Sequence, residues 1–470
     1  MSKKYLSLLL LVLFVPTTFP QTQNPNSNIS DIPAVGIVKD ISDSTLLDII
    51  QRQTFRYFWH NAHTVSGLAR ERSNAIRGEY FWDYADEAYG SPNFSKNILD
   101  TNVCAIGGSG FGIMATIVAV NRGWIGRDTA VGRLIQITDF LIKADSYHGI
   151  FPHWMHGATG KTIPFGYLDD GADIVETSYM LMGLLCAREY FNGSNEREIY
   201  LRSRIKMIWE HANFNWHTRD GNERLYWHWS PKNDWDMNFP IWGWNECLIT
   251  YIVASSSPYH SISNEVYENN WVKSDSYFNG KTYYGYKLPL GFEYGGPLFF
   301  AHYTFMGIDP RGLKDDNTDY WEQNLNHTLI NRQYCIENPK KFKGYGENCW
   351  GLTASDSYEG YVAHSPLEDF GVISPTAAIS SMPYTPEYSM QALKHFYYDL
   401  GDKIWSDYGF VDAFSIDKDW YANSHLAIDQ GPIVVMIENY RTGLLWKLFM
   451  NIPEIQNGLK KLGFDSPWLK

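Results

Sequence analysis

Four acids, Asp169, Asp170, Asp173 and Glu176, open the stretch YLDDGADIVETSYMLMGLLC, residues 167–186. The stretch then runs on through Met180, Leu181, Leu184 and Leu185 as an apolar helix. Asp169, Asp173 and Glu176 are spaced i, i+4 and i+7, which on a helix stacks three acids on one face. Acids at a helix start complement its exposed N–H groups. Like charges stacked this closely nevertheless repel, so something else has to compensate them. Clustered carboxyls push one pKa up and leave another low, the division of labour that acid–base catalysis uses.

A further acid stands in FPIWGWNEC, where Glu246 follows Trp242 and Trp244 at the start of an apolar helix. A carboxyl against tryptophan faces is partly desolvated and keeps its proton near neutrality, as a general acid requires. The plainer alternative is a first-turn glutamate stabilised by the helix dipole. FPHWMHG sets His153 and His156 three apart, but no third ligand or HExxH frame accompanies them, so no metal is expected. A loop offering His153 and its tryptophan to a sugar fits as well.

Two loops interleave acids and rings. LGFEYGGPLFFAHYTFMGIDPRG carries Glu293, Tyr294 and His302, and YGENCWGLTASDSYEGY carries Trp350, Asp356 and Glu359. They are either solvated connectors or the lining of a site. In DQGPIVVMIENYRTG, Asp429 is a candidate helix cap, and Glu438 and Arg441 are spaced to pair on a helix surface. GGSGFG, Gly107 to Gly112, lacks the Lys–Ser/Thr of a phosphate loop and reads as a glycine-rich helix start that permits close packing.

The elements that position these residues are mostly helical. The periodicity predicts helices after a Ser44 cap and near 108–122, 128–144, 171–191, 195–213, 243–256, 318–336, 387–400 and 430–450. Long aromatic loops join them, and alternating β-branched runs are scarce. About a dozen helices of this kind suit a toroid of paired helices with its loops gathered at one end.

The chain has 470 residues, 44% hydrophobic and 19% charged, enough for a large core. A net charge of −13 argues against nucleic acid or an anionic membrane surface as partner. Aromatics make up 16%, with 18 Trp and 32 Tyr, which fits either an aromatic core or a groove that stacks on sugars. Lys3 and Lys4 before the apolar run Leu6 to Val15 give a signal-peptide pattern over residues 1–20, hence a secreted or periplasmic protein. A polar lead-in over 21–43 and one domain over 44–470 follow. Of five cysteines, Cys335 and Cys349 are the most plausible pair, and Cys186 and Cys247 read as core.

Taken in order, DDGADIVETSYMLMGLL, WGWNEC, FEYGGPLFFAHYTFMGIDPRG, NCWGLTASD and DQGPIVVMIENYRTG resemble the β-1,2-glucanases of glycoside hydrolase family 144 and their glucoamylase-like relatives. The similarity spans about residues 45–465. It implies an (α/α)6 barrel and a cofactor-free, inverting hydrolase of β-1,2-glucan or its oligosaccharides, acting within chains or releasing sophorose from their ends. It points to Glu246, Asp169, Asp173 and Glu176 as the catalytic set. Trp242, Trp244, His153, Glu293 and Tyr294 are then expected at the substrate, with His302, Trp350, Asp356, Glu359 and Asp429. A non-catalytic glucan-binding protein, or a β-glucosidase or other glucanase on the same scaffold, is the alternative.

Overall fold

The computed structural model describes residues 32–74, 102–219 and 224–469. The expected leader 1–20, half of the lead-in and most of the loop 64–100 lie outside the described residues. The fold is helix-rich, and its strands are only two to four residues long.

Helix α1 (Asp43–His60) begins earlier than expected, because the Ser42 hydroxyl rather than Ser44 accepts the Thr45 amide at 3.2 Å. After it come α2 (Ile106–Asn121), α3 (Arg127–Leu141), α4 (Ile174–Tyr190), α5 (Glu196–His211) and α6 (Leu248–Ser256). The second half holds α7 (Tyr320–Glu337), α8 (Pro375–Ser380), α9 (Pro386–Lys394), α10 (Gly401–Ile404), α11 (Ala427–Thr442), α12 (Leu444–Met450) and α13 (Pro453–Lys461).

Two kinds of helix alternate in this set. Nearly every residue of α2, α4, α6, α8 and α11 is buried. By contrast α3 buries one stripe, Ala130, Val131, Leu134, Ile137, Thr138 and Leu141, and α5 buries Leu201, Ile205, Ile208 and Trp209. A stripe needs one covering partner, and α3 and α5 cover each other. A helix apolar all round needs neighbours on every side. Accordingly α2 packs between α4 and α11, while α11 also meets α1 and α8, and α4 also meets α6. Full burial of Leu181, Leu184 and Leu185 in α4 contributes about 1.5–3 kcal/mol each.

The glycine-rich stretch lies in α2 and lets it touch α4 backbone to backbone. A Cβ on Gly110 would stand 2.2 Å from the Tyr179 carbonyl oxygen, and one on Gly183 would stand 2.2 Å from the Gly110 oxygen. Close packing, not phosphate binding, accounts for these glycines.

Short strands tie loops to the helix starts. β1 (Val103–Ala105) leads into α2 and pairs antiparallel with β2 (Trp154–His156), which pairs with β3 (Thr162–Ile163). β4 (Ala172–Asp173) leads into α4 and pairs with β5 (His228–Trp229), setting Asp173 opposite His228. A small hairpin, β6 (Thr282–Tyr283) and β7 (Tyr286–Lys287), precedes a longer one, β8 (Ala354–Ser357) and β9 (Gly360–Ala363).

Several expectations are corrected. The helix predicted from 243 starts at Leu248, so Glu246 lies in the turn before it. The predicted 430–450 helix is two, split at Gly443, whose φ of 67° ends α11. Asp429 does not cap α11; that position falls to Leu426, because the helix begins at Ala427. Glu438 is fully buried rather than on a surface, and its charge is met by Arg122 at 2.8 Å, while Arg441 donates to Gln51. Cys335 and Cys349 are both buried free thiols, so the proposed pair does not form. Among the described residues no helix is long and apolar enough to cross a membrane.

Trp350 is fully buried, which bears on its expected role. Trp350→Ala will cost about 3–5 kcal/mol of stability through the cavity it leaves. A folded Trp350→Ala variant with an unchanged melting temperature and weakened sugar binding would contradict this placement.

Candidate active site

A cavity of about 670 Å³ opens where β1, the start of α4 and the β8–β9 hairpin converge. Glu176 and Glu246 both line it, with His153, Tyr179, Trp227 and Tyr303 around them.

The acids of the opening cluster do meet, but not as a stack on a helix. The helix starts only at Ile174, so Asp169 belongs to the preceding loop and Asp173 is the N-cap. Asp173 Oδ1 accepts the Val175 and Glu176 amides at 2.9 Å each and the Trp227 indole N–H at 3.1 Å. Its Oδ2 lies 2.9 Å from His153 Nδ1. Asp170 turns away, taking the Ser230 hydroxyl and the Lys232 ammonium.

Two histidines compensate the acids. His153 Nδ1 is 3.8 Å from Asp169, and its Nε2 is 4.0 Å from Glu176 Oε1. His228 Nδ1 is 3.2 Å from Asp169 and 3.7 Å from Asp173. Burial alone would lower the His153 pKa, but the Glu176 charge and the Asp173 hydrogen bond lift it to about 9. His228 is also raised, against its burial, by Asp169 and Asp173. Burial would raise Asp173, but His228 and His153 hold it below the usual carboxylate value. Asp173 is therefore an ionised cap with both oxygens engaged, and Glu176 is the cluster acid that reaches the cavity wall.

Glu176 and Glu246 are both pushed up to about 7, chiefly by desolvation. Their surroundings differ. Glu176 Oε2 accepts the Gly107 amide at 2.6 Å, and a Cβ on Gly107 would fall 2.6 Å from that same oxygen. That amide and the His153 cation favour the carboxylate. Glu246 has no cation among the causes of its shift, and the charges of Asp173 and Glu176 further favour its proton.

A second acid group gathers around Arg72, and its Glu71 also lines the cavity. Arg72 lines the cavity and pairs with Glu71 at 2.7 Å and Asp356 at 3.2 Å. The Asp356 amide donates to Asp412 Oδ2 at 2.7 Å. Asp412 and Asp429, 2% and 1% exposed, are two buried carboxyls that interact with each other. Burial and mutual repulsion raise Asp429 far above its usual value, and burial and Asp356 raise Asp412 to about 8.

Of the residues expected at substrate, His153 and Glu359 line the cavity, and Asp356 lies behind Arg72. Trp244 is 1% exposed and stacks on Trp271, so its ring is buried in the core rather than open to a sugar. His302 is buried against the Ser381 hydroxyl, and burial lowers it to about 3. Glu293 pairs with Lys281 at the surface, and Tyr294 packs on Tyr283. Trp242 is exposed with its edge on Phe292, outside the cavity wall. Sequence reasoning missed His228, Arg72, Glu71 and Asp412. Only His228 left a trace, in the aromatic run YWHWS.

His153, Asp169 and Asp173 are the one group of described residues whose ligand atoms lie within 4.8 Å of one another. Both Asp173 oxygens already accept hydrogen bonds, and a metal would have to displace the His153 proton. The donor set fits an ion-paired cluster better than a metal centre. EDTA will therefore leave activity unchanged; loss restored by one added metal would contradict this.

A cavity with two desolvated carboxyls on its wall, one beside a cation and one not, is equipment for acid–base catalysis. Residues 238–453 match a family model described as "Putative glucoamylase". An endo-β-1,2-glucanase from Chitinophaga pinensis, solved with sophorotriose and glucose, is 53% identical over 92% of this chain and all of that one, TM-score 0.84. A β-1,2-glucanase structure from Parabacteroides distasonis is 41% identical over 90% of this chain and 60% of that one, TM-score 0.83. An exo β-1,2-glucooligosaccharide sophorohydrolase (non-reducing end) of the same organism is 42% identical over 90% of this chain. The chain spans 58% of the length of that curated relative. It belongs to the glucoamylase-like β-1,2-glucanase family, glycoside hydrolase family 144.

Proposed function

We propose that this chain hydrolyses β-1,2-linked glucan or its oligosaccharides with inversion, releasing sophorose or short oligosaccharides. The observation that carries the reading is the pair Glu246 and Glu176 lining one cavity with unequal surroundings. Glu246, with no cation to ionise it, holds its proton and gives it to the departing glycosidic oxygen. Glu176, beside His153 and the Gly107 amide, is ionised and draws a proton from the attacking water. Inversion needs those two roles on separate carboxyls. Asp173 caps α4 and fixes His153 rather than touching sugar, and Asp169 counters His228. Glu359 and the rings of Trp227 and Tyr361 supply polar and flat surfaces for glucose units.

The alternation of fully buried and striped helices supports an (α/α)6 barrel, inner helices such as α2, α4 and α11 ringed by outer ones such as α3 and α5. On this reading residues 44–470 are one catalytic domain, 1–20 are a signal peptide, and the protein works outside the cytoplasm.

Incubation with β-1,2-glucan and thin-layer chromatography of the products tests the reading. Sophorose or short oligosaccharides are expected. Bound glucan with no product would indicate a binding protein instead, and cleavage of other linkages alone would indicate another glucanase or a β-glucosidase.

A further inference from the structure

We propose that His153 is a positioning residue for hydrolysis, a fixed cation clamped by Asp173 that holds Glu176 as the carboxylate. This rests on Glu176 being the base. The clamp has three sides. Asp173 Oδ2 accepts from Nδ1 at 2.9 Å and fixes the ring's rotation. Phe165 stacks on the ring face, centroids 3.9 Å apart at 22°, a geometry that favours a cation over an aromatic face. The His153 carbonyl accepts the Ile106 amide at 3.2 Å, tying the loop to the start of α2. The other ring nitrogen is thereby directed at Glu176, 4.0 Å away. Glu176 is in turn held by the Gly107 amide, one residue along α2. One helix start thus sets both halves of the pair.

The other charged groups around the pair are known. Asp169, from the loop before β4, and Asp173, from β4, face His153, and both raise Glu176. His228, from β5, meets the same two aspartates, sharing Asp173 Oδ2 with His153, and offsets them. Glu246, from the turn before α6, is raised by Glu176 and Asp173. Among these groups His153 is the one cation that favours an ionised Glu176. Its retention of the proton to about 9 keeps it charged across the neutral range.

His153→Gln keeps a hydrogen-bond donor for Asp173 and removes the charge. Loss of an opposite charge at this distance raises a carboxyl by about 1–3 pH units. Glu176 would then sit above Glu246, and the active protonation state becomes a minor one. The pH optimum of kcat/KM on sophoro-oligosaccharides is expected to move alkaline by about half that shift, and its peak to fall about 10- to 1000-fold. A raised KM with the optimum unmoved would make His153 a sugar ligand, and a lower peak at an unmoved optimum would make it merely structural. Either result overturns the proposal. Proton–nitrogen NMR of the imidazoles in wild type and Glu176→Gln needs neither activity nor a folded His153 variant. The His153 midpoint must drop in Glu176→Gln, and an unchanged midpoint refutes the pairing. Failure of the wild type to cleave β-1,2-glucan would instead refute the functional reading and leave the NMR result standing.

Discussion

Glu246→Gln lowers turnover on β-1,2-gluco-oligosaccharides on the order of 10³-fold while substrate still binds. The amide keeps the shape and the hydrogen bonding of the side chain but has no proton to give. Leaving-group oxygens of unactivated sugars are poor, so the loss falls on kcat. Glu246 holds its proton up to about 7 because it is desolvated and faces the negative Asp173 and Glu176. Its proton is lost as pH rises through that value, so activity declines on the alkaline side. Glu176 has to be ionised, and its value of about 7 makes activity decline on the acid side. A narrow bell centred near pH 7 is therefore expected in the wild type. Near-normal turnover in a folded Glu246→Gln variant would remove Glu246 from the chemistry.

Glu176→Gln carries the second large effect, a fall of about 10²- to 10⁴-fold in kcat. The substitution keeps an acceptor for the Gly107 amide, so the α2–α4 contact survives and the fold should too. It removes the acid limb of the pH profile, because no group is left whose ionisation activates the water. A variant that loses activity while keeping the acid limb would place the base elsewhere, and the buried carboxyls Asp412 and Asp429 would be the next group to test.

Much of the scaffold was legible because buried helices announce themselves by composition and period. YMLMGLL and GIMATIVA are apolar nearly all round, and they are buried all round. The meeting of Asp169, Asp173 and Glu176 was also legible, though its cause was not. Spacing suggested a helix face, whereas a cap and a preceding loop bring the three together. The compensating His228 lies 55 residues beyond Asp173 and arrives through the two-residue β4–β5 pairing, which leaves no local pattern. Trp244 shows the converse failure. Its nearness to Glu246 in sequence suggested a ring at the substrate, but the indole is buried and stacks on Trp271 in the core. Asp412 sits in no motif, and only its burial beside Asp429 marks it.

Inversion at the anomeric carbon is tested most directly by proton NMR of the first products released from a β-1,2-gluco-oligosaccharide. Direct attack of a water activated by Glu176, opposite the departing oxygen protonated by Glu246, gives the α-anomer first, with the β-anomer growing in only as mutarotation proceeds. A β-anomer as the first product would require a covalent intermediate on a closely spaced carboxyl pair and would contradict the assignment of separate acid and base.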